Sequence, residues 1–192
     1  MGDDPIEQRL REVIIGEIEP RAVVIADYDA DWPERFRREE EKIRTALGEA
    51  ALAVEHIGST SVPGLAAKPI VDILLVVEDS GEEATYLPDL EEAGYALRVR
   101  EPDFDEHRMF RTPEKDVHLH VYSADSVEIG RYLLLRDHLR TDREDRELYA
   151  STKRKLAKGD WPSVDHYAEA KTEVVEGILA RAATSESGPR KY

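Results

Sequence analysis

Residues 56–72 read His56-Ile57-Gly58-Ser59-Thr60-Ser61-Val62-Pro63-Gly64-Leu65-Ala66-Ala67-Lys68-Pro69-Ile70-Val71-Asp72. A strand-like run at 51–57 (ALAVEHI) leads into this stretch, and a second at 70–77 (IVDILLVV) leads out of it. The second run is apolar almost throughout, the pattern of a strand covered on both faces. Between them lies a turn of small residues followed by a loop with Pro and Gly. Gly58 allows the backbone to come close to a ligand. The amides and hydroxyls of Ser59, Thr60 and Ser61 can line an anion nest, and Lys68 adds a compact positive charge for a phosphate. A turn rich in small residues also serves as a plain connection. Asp72 tips the balance toward a site. A carboxylate in a strand of Ile, Val and Leu is costly unless it is paired with a cation, hydrogen-bonded or bound to a metal.

Upstream, Asp4-Pro5 opens a helix with Asp4 as N-cap and Pro5 at its first position. Ile6, Leu10, Val13 and Ile14 form its apolar stripe and Gly16 ends it. Residues 22–26 (AVVIA) read as a short strand. Asp31-Trp32-Pro33 starts a helix to about Leu47, with Phe36, Ile43 and Leu47 on one face, Gly48 as the stop and RREEEK as its solvated side. Downstream, a helix is expected at 81–92, ended by Gly94, then strands at 94–100, 107–111 and 116–122. From Asp125 onward the pattern is helical, at 125–140, 143–157 and 164–183, and the ending SESGPRKY has no pattern and reads as disordered. The expected organisation is an N-terminal helix (1–19), a core (20–123), a C-terminal helical subdomain (124–184) and a tail (185–192). Mixed elements followed by helices alone give the α/β (α+β) class, a small mixed sheet packed with helices.

Composition narrows the function. The 192 residues carry a formal charge of -15, and 36% are charged. So acidic a surface repels phosphodiester backbones and anionic lipid, which argues against broad nucleic-acid binding and against a membrane role. The absence of cysteine excludes disulfides, thiolate metal sites and cysteine nucleophiles. No apolar run approaches the ~18 residues of a membrane span, and the acidic start MGDDPIEQRL lacks the layout of an export signal. The expected location is cytoplasmic.

The order Gly-Ser, short loop, then Asp on the next strand resembles the core of the polymerase-β-type nucleotidyltransferase superfamily. Within it, HIGSTSVPGLAAKPIVDI resembles the GrpB family of predicted nucleotidyltransferases. The resemblance runs over most of the chain. It takes in Tyr28-Asp29, Trp32-Pro33, Gly94-Tyr95, HLHV at 118–121, RDHLR at 136–140, and Tyr149, Lys153, Leu156, Tyr167 and Lys171. It implies a mixed sheet of nucleotidyltransferase type and a nucleotide or other phosphorylated small molecule as ligand. It also implies a divalent metal (magnesium, manganese or zinc) and nucleotidyl transfer to an acceptor. Active members of the superfamily carry an acid, one residue, a second acid, and a third acid on a neighbouring strand. Here Asp72-Ile73-Leu74 places leucine at the second position, on the same strand face as Asp72. A binding module without catalysis and a metal-dependent hydrolase are the alternatives.

Histidines can stand in for the absent acids. His118 and His120 alternate with Val117, Leu119 and Val121 and so share a strand face. Such a pair suits metal binding, phosphate contact or general-base work, or simply a half-exposed surface. If the sheet pairs as the resemblance implies, Asp72, His118 and His120 converge as catalytic and metal-binding residues. A mixed Asp/His set favours a transition metal over magnesium. His56 is a further metal candidate or a satisfied core histidine. Arg108, Arg136 and Arg140 are phosphate candidates or ion-pair partners of neighbouring acids. Arg136 and Arg140 lie one helical turn apart. Lys153 and Lys171, each one turn from a tyrosine (Tyr149, Tyr167), complete the phosphate candidates.

Overall fold

The computed structural model describes residues 5–16, 23–159, 161 and 164–186. Its strands are β1 (Ala53–Ile57), β2 (Val71–Val77), β3 (Ala96–Glu101), β4 (His107–Arg111) and β5 (Val117–Ser123). They form one sheet in the order β1-β2-β5-β4-β3. β2 and β5 run parallel and the other neighbours antiparallel. The helices are α1 (Pro5–Val13), α2 (Trp32–Leu47), α3 (Leu87–Glu92), α4 (Val127–Thr141), α5 (Arg143–Leu156), α6 (Val164–Glu169) and α7 (Thr172–Glu186). This is the mixed sheet with packed helices expected from the order of elements.

Period-2 alternation gives the sheet two faces. On the far face, Val71, Ile73, Leu75 and Val77 of β2 join Val117, Leu119 and Val121 of β5 and Phe110 of β4. They pack against Trp32, Ile43 and Leu47 of α2 and Leu90 of α3. On the near face, Ile57, Leu74, Val76 and Tyr122 pack with Ile129, Tyr132 and Leu133 of α4. β2 is therefore covered on both sides, which is why its sequence is nearly unbroken Val, Ile and Leu. A separate cluster, Val62, Leu65, Leu139, Tyr149 and Ile178, ties the loop after β1 to α4, α5 and α7.

Three expected elements differ. Within 23–26, Ala26 alone pairs, bridging to Ala67. Its partner is a loop rather than a strand, so pairing ends after one residue. The helix expected over 81–92 breaks into a 3-10 turn at Glu83–Thr85 and α3 from Leu87. Pro88 fits only the first turn of a helix, which fixes the restart there. The long final helix is two, α6 and α7. At the break the Lys171 amide donates to the Ala168 carbonyl at 3.1 Å, an i to i−3 bond. The Asp4 cap and residues 187–192 of the tail lie outside the described residues. No helix among the described residues is long and apolar enough to cross a membrane.

Candidate functional site

The parallel pairing of β2 with β5 sets Asp72 opposite His118 and Leu74 opposite His120. Asp72, His118 and His120 all project from the near face. One Asp72 oxygen lies 3.5 Å from His118 Nδ1 and 3.9 Å from His120 Nε2, and one ligand atom from each residue lies within 4.8 Å of the others. Both separations exceed a good N–H···O bond. They resemble the edges of a tetrahedral ligand set, about 3.4 Å for metal–ligand bonds near 2.0–2.1 Å. One carboxylate and two imidazoles are a donor set for zinc or manganese more than for magnesium. Asp72, His118 and His120 therefore form a three-donor set that could hold a divalent transition metal. Burial alone would raise the Asp72 carboxyl, but the adjacent His118 and His120 outweigh it and hold Asp72 well below the usual carboxylate range. It stays anionic and ready to ligate.

Gly58 explains why the loop begins with glycine. Its φ is 67° and its ψ is -173°, a region that a side chain disfavours. A Cβ there would overlap the Asp72 carboxylate and come 3.0 Å from the Asp72 Cβ. The turn that follows, Ser59–Ser61, is 3-10, so its leading amides lack partners within the turn.

Cations reach Ser59 from the C-terminal helices. Lys153 of α5 is 2% exposed. Its Nζ donates to Ser59 Oγ at 2.8 Å and to the Ala66 carbonyl at 2.5 Å. Burial, then the neighbouring Lys171, lower Lys153 to about 6, although Asp72 pulls it upward. Burial also lowers Lys171 against the pull of Asp72. The ammonium groups of Lys68 and Lys171 sit 5.6 and 5.0 Å from the Tyr167 ring centre, and that of Lys153 sits 4.5 Å from the Tyr149 ring. Lys68, Lys153 and Lys171 thus gather with Tyr149 and Tyr167, and Lys153, Lys171 and Tyr149 lie within the field of Asp72. The phosphate candidates Ser59, Lys68, Lys153 and Lys171 are brought together.

Other candidates lie elsewhere or hold the scaffold. His56 pairs with Ile73 and so faces away from Asp72. It stacks on Phe36 at 4.8 Å and bonds Thr60 Oγ1 at 3.0 Å. Burial lowers it to about 4, so it is a neutral core histidine and not part of the Asp72 cluster. Thr60 is occupied by that bond, and Ser61 Oγ closes the turn by donating to the Gly58 carbonyl at 2.6 Å. Arg108 also turns to the far face, where it pairs with Glu83 at 2.5 Å and Glu106 at 3.0 Å. Arg136 binds Glu55 at 2.8 Å and the His56 carbonyl at 3.2 Å. Arg140 donates twice to the Ser61 carbonyl, at 3.1 and 3.0 Å. Both arginines therefore buttress the loop from behind. Leu74 is fully buried with Ile57, Val76 and Tyr122, so the second-acid position is part of a dry core.

The near face of β4 and β3 adds residues that the sequence reading did not select. His107 is sandwiched between Glu101 and His120 by bonds of 2.8 and 3.0 Å. Arg111 pairs across the sheet with His118. The parity of His107 and Arg111, opposite to that of Arg108, was the available signal.

Comparison with known proteins bears on this arrangement. The sequence profile of the GrpB protein family matches residues 22–181. The chain belongs to the GrpB family. This GrpB chain is 53% identical over 178 residues to a UPF0157 protein of Halalkalibacterium halodurans, covering 92% of this chain and 91% of that one. The crystal structure of the conserved protein GrpB from Enterococcus faecalis is similar at a TM-score of 0.74 and 33% identity, covering 86% of this chain and all of the other. A structure of the Cid1 poly(U) polymerase with Mg 3′-dATP bound matches at a TM-score of 0.50 and 13% identity, covering 86% of this chain and 51% of the polymerase. That likeness shows a shared nucleotidyltransferase-type fold for the GrpB chain.

Proposed function

We propose that this chain binds a nucleotide or other phosphorylated small molecule beside Ser59, with a divalent metal on Asp72, His118 and His120, and transfers a nucleotidyl group to an acceptor. The observation that carries this reading is a juxtaposition. A carboxylate–imidazole cluster with ligand-like spacing abuts Gly58 through Asp72, and Lys153 reaches the adjoining Ser59 while Lys68 and Lys171 share the Tyr167 ring. The metal would neutralise charge developing on the transferred phosphoryl group. Lys153 and Lys171 would hold the phosphates and Ser59 would orient them, while Gly58 keeps the loop close to Asp72.

Leu74 favours a second reading, binding without transfer. Losing one acid removes a ligand that two-metal chemistry uses, whereas phosphate binding needs only amides and cations. Calorimetry with nucleoside triphosphates, run beside a radiolabel-transfer assay with magnesium, manganese or zinc, separates the two. Binding is expected in the wild type, falling at least about 10-fold in Lys153→Ala as a charge-assisted contact is lost. Transfer with magnesium is expected to be weak, and any transfer should vanish in Asp72→Asn. Binding with no transfer under any metal assigns the second reading, and label released to water assigns a hydrolase. Absence of both binding and turnover overturns the proposal.

A further inference from the structure

The strand register sets a row of side chains across the near face. Ile57 of β1, Asp72 of β2, His118 of β5 and Arg111 of β4 are successive cross-strand partners, and Ala96 of β3 ends the row. The Gly58 turn continues β1, so Ser59 and the Lys153 that bonds it belong to one flank of Asp72 in the strand order. Arg111 stands on the other flank. Two strand spacings, about 9–10 Å, separate its backbone from that of Asp72, a gap that a small molecule spans with one end at the guanidinium and the other at the carboxylate–imidazole cluster.

The β1 end of the near face is roofed and the β4 end is open. Residues of α4 pack on Ile57, Leu74, Val76 and Tyr122. The Asp72 and His118 side chains are 31% and 23% exposed, Arg111 and Met109 are half-buried, and Ala96 is exposed. A guanidinium offers five donors in a planar fork, so it can keep a protein partner and still take two oxygens of an anion. Arg108 of the same strand turns to the far face and is held there by Glu83 and Glu106. Arg111 instead shares its face with Asp72, His118 and His120. A divalent ion on those three would outweigh the one carboxylate and, with Arg111, leave the row cationic. Such a row favours a phosphate over a singly charged carboxylate. The chain as a whole, at a formal charge of -15, opposes a long polyanion.

We propose that Arg111 forms a second anion subsite, on the β4 flank of Asp72, which holds the phosphate of a small phosphorylated acceptor. This rests on the nucleotidyl-transfer reading for the acceptor's role but not for the anion subsite itself. An acceptor held at Arg111 extends its hydroxyl over the Asp72 cluster toward the α-phosphorus of a nucleotide bound beside Ser59. The hydroxyl oxygen bonds that phosphorus, pyrophosphate leaves with the electron pair of the broken P–O bond, and the hydroxyl proton passes to water.

The test is a titration of the isotope-labelled, metal-free full chain with inorganic phosphate at constant pH and ionic strength, followed by NMR at the Arg111 Nε–H and the His118 ring. Both signals should shift with one affinity. Arg111→Met should weaken the response at His118 by about 10-fold or more, the loss expected for a charge-assisted contact. Arg111→Lys keeps the charge without the fork and should fall between the two; it also serves where Arg111→Met fails to fold. ATP binding by calorimetry should be unmoved in Arg111→Met and weakened in Lys153→Ala, whereas the phosphate response at His118 should survive Lys153→Ala. Acetate should bind Arg111 more weakly than phosphate. No shift at Arg111 in the wild type, a His118 response unchanged in Arg111→Met or lost in Lys153→Ala, or a preference for acetate overturns the inference, and ATP binding beside any of these leaves the nucleotide reading standing. A phosphate response at Arg111 and His118 in a chain that binds no ATP supports the anion subsite and overturns the nucleotide reading instead.

Discussion

The two faces of the sheet handle buried polar groups differently. On the far face His56 and Arg108 are satisfied at close range, His56 by Thr60 and the Phe36 ring, Arg108 by Glu83 and Glu106. On the near face Asp72 stands 3.5 and 3.9 Å from two imidazoles, near enough to feel them and too far for a good bond. A buried polar residue is therefore weak testimony for a site when its partners are complete. A three-residue set with ligand-like spacing is stronger.

The sharpest way to break this comparison is to exchange the readouts. Asp72→Asn should lower zinc or manganese affinity by more than the roughly 100-fold upper end for losing an outer partner. It should disturb the melting temperature less than Arg108→Met does. Arg108→Met should do the reverse. It strips a 4% exposed guanidinium from its carboxylates and costs about 1–3 kcal/mol, or about 2–4 °C per kcal/mol in a chain of this size. Metal titration and thermal melts on both variants check this. Equal losses in both assays would erase the distinction between the faces.

A smaller effect is expected where the loop touches the near face. Gly58→Ala combines a backbone strain of about 1–3 kcal/mol with overlap on Asp72. Adding Asp72→Ala relieves the overlap but not the strain. The double variant should therefore recover about 1 kcal/mol relative to the sum of the singles. Strict additivity in denaturant melts would mean that Gly58 and Asp72 do not meet.

A further signal is a proton count. Lys153 sits near 6 in the folded chain against 10.5 ordinarily. Between those values the unfolded state binds more protons, so the stability due to this group rises with pH through the window. Ligand-free melts between pH 7 and 9 should show that slope, and Lys153→Met should flatten it. The same logic makes anion binding near pH 7.5 draw in up to about one proton as Lys153 recharges. Calorimetry in buffers of differing ionisation heat detects this. No difference between wild type and Lys153→Met would remove Lys153 from the phosphate set.

Patterns within one strand were readable from sequence, and relations between strands were not. The apolar run around Asp72 announced a doubly covered strand. The alternation of His118 and His120 with Val117, Leu119 and Val121 placed both imidazoles on one face. For His56 and Arg108 the sequence left two roles open, and register selects the satisfied core histidine and the ion-paired arginine. Ile57, not His56, pairs with Asp72, and β4 presents His107, Met109 and Arg111 to the histidines while Arg108 turns away. The Glu101–His107 bond joins two strands through a pairing that no single stretch encodes. Lys153 and Lys171 were found through family resemblance, since a lysine one turn from a tyrosine reads equally well as a solvated helix face. The split at Ala170–Lys171 has no Gly or Pro to announce it.

The parallel pairing of β2 with β5 also sets a timetable. Asp72 and His118 are neighbours in space but are separated by the whole of α3, β3 and β4 in sequence. A parallel partner cannot be reached by a tight turn, and closing so long a loop is slow and entropically costly before any contact rewards it. During synthesis the carboxylate and its glycine loop emerge first, the imidazoles later, and the lysines of the last helices at the end. Asp72, His118 and His120 therefore come together only once the most distant pairing of the sheet has closed, so a half-made chain holds the carboxylate without its imidazoles.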